Sequence, residues 1–156
     1  MKAISIAILL ALTFSTAALA AGGDPLPEPT PKGTPGASAV SVYNRGLALA
    51  NSGDFLGAEA AYRQAIALDP TLPEAWNGLG HSLKKQKRYQ ESLAAYDKAL
   101  QLRPDFPLAM QYLGELYVAM GQLDKAQDLL AKLRPIDEEN ANKLAAVIWD
   151  GDSAKW

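Results

Sequence analysis

Small and apolar residues return along this chain at a fixed interval of 34 positions. Gly46, Gly80 and Gly114 share that interval, as do Leu49, Leu83 and Tyr117, then Ala58, Ser92 and Ala126, then Tyr62, Tyr96 and Leu130. Ala65 and Ala99 fall in the same register, with Pro70 and Pro104, and Pro73 and Pro107. A period of this length marks stacked units, none of which can bury its apolar face alone. The helical spacing of the apolar positions within each unit predicts an all-α fold. Gly46, Gly80 and Gly114 are expected to face Ala58, Ser92 and Ala126, small against small, so that paired helices close up. Leu49, Leu83, Tyr62 and Tyr96 recur at helical spacing and are expected in the core rather than in a ligand cage. Gly53 and Gly121 sit where a first helix must end in a left-handed turn, and Lys87 holds the equivalent place, which predicts strain there. Pro70 and Pro104 stop the second helices, while Pro73 and Pro107 suit the first turn of the next ones.

The residues that fill these columns carry a resemblance. Trp76, Leu79, Gly80 and Leu83, followed by Ser92, Tyr96, Ala99 and Pro104, resemble the tetratricopeptide repeat, a 34-residue helix-turn-helix unit. Gly46, Leu49, Ala58, Tyr62, Ala65 and Pro70 match it in the first repeat, and Leu113, Gly114, Tyr117, Ala126 and Leu130 in the third. The resemblance implies a right-handed α-solenoid of three repeats, residues 39–72, 73–106 and 107–136. Val42 and Met110 replace the Trp76 type, and Arg45 stands in the column of Leu79 and Leu113, its stem expected on apolar surface with its charge in water. Leu133 replaces the small Ala65 and Ala99, and Pro135 arrives early, so the array ends there. An open last face needs a cap. Asp137 can cap a helix, Glu138 and Glu139 suit its positive end, and Ala141, Leu144, Ala145 and Ile148 share one side. A capping helix is therefore expected over 137–149, with 150–156, including Trp156, as a tail.

The first forty residues read differently. Met1-Lys2, the apolar stretch Ala3 to Leu12 broken by Ser5, and Ala18-Leu19-Ala20 occur in the order of a cleaved secretory signal, residues 1–20. The competing reading is a retained anchor, since Ala3 to Ala21 nears spanning length; Ser5, Thr13, Ser15 and Thr16 dilute that run. No later run approaches that length, so no membrane span is expected after cleavage. Residues 21–38 carry Pro25, Pro27, Pro29, Pro31 and Pro35 and read as a semi-rigid polyproline linker, or alternatively as a proline-rich ligand. The expected location is the periplasm or the exterior of a bacterial cell.

Composition narrows the chemistry. Fifteen Lys plus Arg against 17 Asp plus Glu give a net charge of -2, with no basic surplus for nucleic acid. The chain has no Cys and one His, His81, which removes thiol chemistry and most imidazole clusters. The glycines of Gly78-Leu79-Gly80-His81 lie inside a predicted helix and do not form a phosphate loop. Asp137-Glu138-Glu139 reads as a helix-dipole feature, and Asp150-Gly151-Asp152 is too short for a calcium loop. No catalytic, metal or cofactor site is expected, and the chain is not read as an enzyme.

The family resemblance implies instead a concave groove, lined by the first helices, that holds a protein or peptide. Mapped onto this sequence it would consist of Tyr43, Asn44 and Leu47, then Asn77, His81, Lys84 and Lys85, then Gln111, Tyr112 and Glu115. The slots of a carboxylate clamp known in the family hold Tyr43, Leu47, Gly78, Leu108 and Tyr112, so that clamp is disfavoured. Lys84, Lys85, Lys87 and Arg88 are the one basic cluster, either solvated at a helix end or a contact for an acidic partner. Arg63 and Lys98 are expected on the opposite, inert surface. The sequence thus reads as an exported adaptor serving assembly of an envelope complex, with weak self-association into a structural array as the alternative.

Overall fold

The computed structural model describes residues 38–153. The expected signal, most of the proline-rich segment and Trp156 lie outside them. Seven α-helices follow: α1 (Ala39–Asn51), α2 (Phe55–Leu68), α3 (Pro73–Lys85), α4 (Tyr89–Leu102), α5 (Pro107–Ala119), α6 (Leu123–Leu133) and α7 (Glu138–Ser153). Five of the helix starts have a local cause. Ser38, Asp54 and Asp137 accept from the amides of Ser41, Gly57 and Asn140, satisfying donors that a helix start leaves orphaned. Pro73 and Pro107 open α3 and α5, where no amide hydrogen is needed. The turns within the helix pairs pass through positive φ at Gly53 (85°), Lys87 (62°) and Gly121 (73°), so the lysine adopts the conformation of the two glycines.

Consecutive helices pack in pairs, α1 on α2, α3 on α4 and α5 on α6. The first helices also touch, α1 with α3 and α3 with α5, whereas the backbones of α2, α4 and α6 do not approach one another. Close spacing on one side and splaying on the other curve the stack, with α1, α3 and α5 on the inside. α7 packs on both α5 and α6, taking the place of a fourth first helix.

The glycine column works by a different contact from the expected one. What presses on Gly46 is the Tyr62 ring, whose carbons would lie 2.7 and 2.8 Å from an added Cβ. Gly80 lies likewise under the Tyr96 ring, at 2.8 Å. The expected Gly80 and Ser92 pairing is present as a hydrogen bond, the buried Ser92 hydroxyl donating to the Gly80 carbonyl at 2.7 Å. At Gly114 the occupant is Leu144, from α7, within 2.6 Å of where a Cβ would stand. The cap thus supplies the side chain that Tyr62 and Tyr96 supply elsewhere, and Leu130 of that column is only half-buried.

The core runs in sequence along the stack. Val42, Tyr62, Leu79 and Leu83 fill the first two repeats, Tyr96, Leu113 and Leu116 the next seam, and Met110, Leu133, Leu144 and Ile148 the last. Trp76 packs half-buried between two of these layers, its indole donating to the Pro70 carbonyl at 2.9 Å. Arg45 keeps its charge in water and donates to Gln64 at 2.6 Å.

The last helix is longer than expected. It continues through Asp150 and Gly151 to Ser153, so the start of the expected tail is helical. Gly151 makes this possible, because its backbone passes so close to Val118 that a Cβ would stand 2.6 Å from that side chain. Among the described residues no helix is long and apolar enough to cross a membrane, and no group of His, Asp and Glu could hold a metal ion.

Candidate functional site

A cavity of about 120 Å³ opens on the inner face where α1, α3 and α5 meet. α1 contributes Tyr43, Leu47, Ala50 and Asn51, one side of two and a half helical turns. Asn77, Gly78 and His81 come from α3, Leu108 and Tyr112 from α5. Tyr62 reaches in from α2 because Gly78 leaves room. A Cβ on Gly78 would fall 2.5 to 2.8 Å from the Tyr62 ring carbons.

Aromatic contacts fix the walls. Tyr43 and Tyr62 lie 5.7 Å apart between ring centroids, and His81 lies 4.9 Å from Tyr112 and 6.1 Å from Phe55. These separations are those of favourable tilted and edge contacts, so the rings hold one another in place. Burial raises the pKa of Tyr43, Tyr62 and Tyr112, Tyr62 to about 12, so all three remain neutral hydrogen-bond donors at ordinary pH. Burial, and then the nearby charges of Lys84 and Lys85, push His81 down to about 4, so its imidazole is neutral. None of the lining residues carries a charge at pH 7.

Two polar atoms here lack partners. Asn77 is 6% exposed and its Oδ1 has no hydrogen bond; His81 Nδ1 is likewise buried and unpaired. Leaving such a group unsatisfied costs about 1–3 kcal/mol. A fold keeps that cost where a ligand or bound water supplies the missing bond.

Of the residues expected in the groove, Tyr43, Leu47, Asn77, His81 and Tyr112 line the cavity. Asn44 is exposed on α1 outside it. Lys84, Gln111 and Glu115 form a separate network one turn along. The Lys84 ammonium is ion-paired with Glu115 and lies 5.2 Å from the Tyr112 ring, while Gln111 Nε2 donates to Glu115 at 2.8 Å. Its side chain is only 12% exposed, so Lys84 is not the free cation that the sequence suggested.

The basic cluster disperses in the same way. Arg88 donates to Glu59 at 2.7 and 2.9 Å and is paired with Glu91. Lys85 is exposed, 5.9 Å from the Phe55 ring. Glu59 is buried, and besides Arg88 it accepts from Gln86 at 2.8 Å and Arg63 at 3.0 Å. Burial alone would raise its pKa, but the hydrogen bonds from Gln86, Arg63 and Arg88 outweigh it and hold the carboxyl below the usual range. Arg63, expected to be inert, is therefore part of a partly buried inter-repeat network.

Sequence reasoning missed Ala50, Asn51, Tyr62, Gly78 and Leu108 as lining. One signal was available. Asn44, Gly78 and Tyr112 share a column, and the glycine in the middle removes a side chain from the centre of the inner face.

Tetratricopeptide repeat models match residues 73–106 and 95–128, and a TPR repeat model matches 46–87. Together they span more than half of the chain. The chain belongs to the tetratricopeptide repeat family. Among curated relatives, the peroxisomal targeting signal receptor of Saccharomyces cerevisiae is 31% identical over 97 residues, 62% of this chain and 16% of that protein. Protein bimA of Emericella nidulans is 35% identical over 72 residues, 45% of this chain and 9% of that protein. The chain thus spans less than a fifth of the length of these relatives. Among solved structures, the TPR2B domain in the pHsp70 complex of yeast Sti1 has a TM-score of 0.69 at 20% identity, covering 74% of this chain and 97% of that one. The first TPR of Spaghetti (RPAP3), bound to HSP90 peptide SRMEEVD, has a TM-score of 0.63 at 18% identity, covering 70% and 90%. At these identities the likeness is one of fold.

Proposed function

We propose that this chain is an exported, non-enzymatic adaptor that holds a protein or peptide segment on the inner face of its repeats, in assembly of a complex in a bacterial envelope. The observation that carries the reading is the aromatic-walled cavity between α1, α3 and α5, with buried polar atoms of Asn77 and His81 still unpartnered. An HSP90 peptide is bound to the related fold in the Spaghetti complex, and pHsp70 is the partner in the Sti1 complex, which supports a protein or peptide ligand here by analogy. Export rests on the order of Met1-Lys2, the apolar run and Ala18-Leu19-Ala20.

Capture from the native envelope tests the reading, with the wild-type protein and the Tyr112→Ala variant as parallel baits. A partner retained by the first and lost by the second supports it; one retained equally by both places binding elsewhere. Export is checked by mass spectrometry of the exported chain, which should begin at Ala21. An intact Met1 or absence from the envelope would count against it. Self-association is the second reading, favoured by the exposed Val40 on the first helix and Trp149, 75% exposed, on the last. Light scattering that shows mass rising with concentration would establish it.

A further inference from the structure

The reading above leaves open what chemistry the cavity selects. The sequence suggested that a lysine would favour acidic ligands, and the structure removes that lysine from play. We infer that the cavity takes one uncharged aliphatic side chain, of Leu or Met size, from a neutral peptide segment whose main-chain amide bonds to the Asn77 side chain. This rests on the adaptor reading and specifies its ligand.

Size comes first. An apolar cavity of roughly 150 Å³ holds a benzene molecule, so about 120 Å³ suits one branched or flexible aliphatic group and excludes an indole. Leu47 and Leu108, both exposed at the rim, extend the apolar surface outward, where the stem of an entering side chain would lie.

Charge decides the class. The lining has no Asp, Glu, Lys or Arg. Lys84, which lies 5.2 Å from the Tyr112 ring, has its charge compensated by Glu115, and that carboxylate is itself bonded to Gln111. An acidic side chain entering here would lose its water and find no cation in the lining, the unpaired Lys85 standing exposed outside it; a basic one would find no carboxylate in the lining. Either would be desolvated without compensation, which is the costly case for a buried charge. A neutral imidazole at His81 adds no charge to change this.

Asn77 supplies the polar half. Its amide is held on the cavity wall with Oδ1 unpartnered, and a carboxamide matches a peptide group donor for acceptor. Gly78, next to it, has no side chain to keep a ligand backbone away, and any side chain there would push Tyr62 out of the wall. Apolar seat and amide partner therefore stand side by side on α3.

The test uses three blocked tripeptides that differ only in the middle residue: acetyl-Ala-Leu-Ala-amide, acetyl-Ala-Glu-Ala-amide and acetyl-Ala-Lys-Ala-amide, with the acidic peptide SRMEEVD as a fourth probe. Each is titrated to tens of millimolar into 15N-labelled protein, and amide signals of Leu47, Asn77, Gly78 and Tyr112 are followed. The leucine peptide should move these signals, and the charged peptides should bind at least about tenfold more weakly. Leu108→Glu, on the solvent side of the rim, should weaken the leucine peptide and bring the lysine peptide ahead of it without altering the fold. Stronger binding of the glutamate peptide or SRMEEVD on the same signals would overturn the inference and leave the groove reading standing. Shifts confined to other surfaces, such as around Trp149, would overturn both. Silence of all four probes would overturn the neutral-ligand inference alone, with the adaptor reading then decided by the Tyr112→Ala capture.

Discussion

Lys87 is the residue whose backbone the chain strains. Its φ of 62° lies in the left-handed region that Gly53 and Gly121 occupy at the equivalent turns, and the lysine is exposed. A side chain there costs about 1–2 kcal/mol relative to the right-handed region. Glycine relieves that strain but brings a looser unfolded chain, so Lys87→Gly should stabilise by about 1 kcal/mol or less. A urea midpoint that falls would show that the lysine makes a compensating contact. His81 offers a second measurement. Its imidazole titrates near 4 when folded and near 6.5 when unfolded, so the unfolded chain binds more protons between those values. Stability should therefore fall as pH drops from 6.5 toward 4, by up to about 3 kcal/mol. Glu59, with its lowered pKa, begins to lose its contribution only as pH falls below the ordinary glutamate range. His81→Gln should flatten the upper limb and leave the lower one, which a pH series of denaturation curves would separate. Both residues stood out in the sequence for partial reasons. Lys87 was legible because its column otherwise held glycine, whereas the burial of His81 depends on Phe55 and Tyr112, which are distant in the chain.

At the scale of the element, the last helix is the informative one. Its apolar face at Ala141, Leu144 and Ile148 was readable from spacing, and all three side chains are buried. That Leu144 would seat on Gly114 was not readable, because the 34-residue register points to Leu130 for that place. α6 ends at Leu133, and the chain turns through Pro135, so α7 arrives early and fills the gap that an aromatic ring fills elsewhere. Leu144→Ala should cost about 2–5 kcal/mol, as for a buried leucine in a site with little room to collapse. Gly114→Ala alone should also destabilise, because its Cβ would press on the Leu144 methyls. In combination the two changes should cost less than their sum, since the added methyl enters the space that the leucine vacates. Strict additivity in that double-mutant cycle would mean that the two residues are not in contact. Removing the chain from Asp137 onward should expose Met110, Leu133 and the Gly114 surface and produce aggregation, visible by light scattering.

For the whole molecule, the repeats made the all-α stack legible because packing imposes the same small and large residues at each turn of the array. The inner cavity was half legible, because positions that face inward carry no periodic signature and vary from repeat to repeat. Asn44, Gly78 and Tyr112 share one column and have three different fates: exposed, absent as a side chain, and forming the wall. Charges were the least legible. Lys84 with Glu115 and Arg88 with Glu59 are separated by 31 and 29 positions, and only the folded stack brings them together. That reassignment changes the mutational test of the groove. Once a partner is in hand, Asn77→Ala and Tyr112→Ala should each weaken it by about 1 kcal/mol or more, since both remove groups from the cavity wall. Lys84→Ala should act differently. It leaves Glu115 without its counter-charge and should lower stability more than it changes affinity, with little dependence on salt. Arg63 is unsuitable as an inert control because Glu59 and Glu91 both pair with it. Lys98 and Gln101 on α4, outside the cavity lining, serve instead, and their replacement by alanine should leave affinity within experimental error. Calorimetric titration of the five variants decides the matter. Losses at Lys98 or Gln101 with Asn77 and Tyr112 silent would move the binding surface to the second helices.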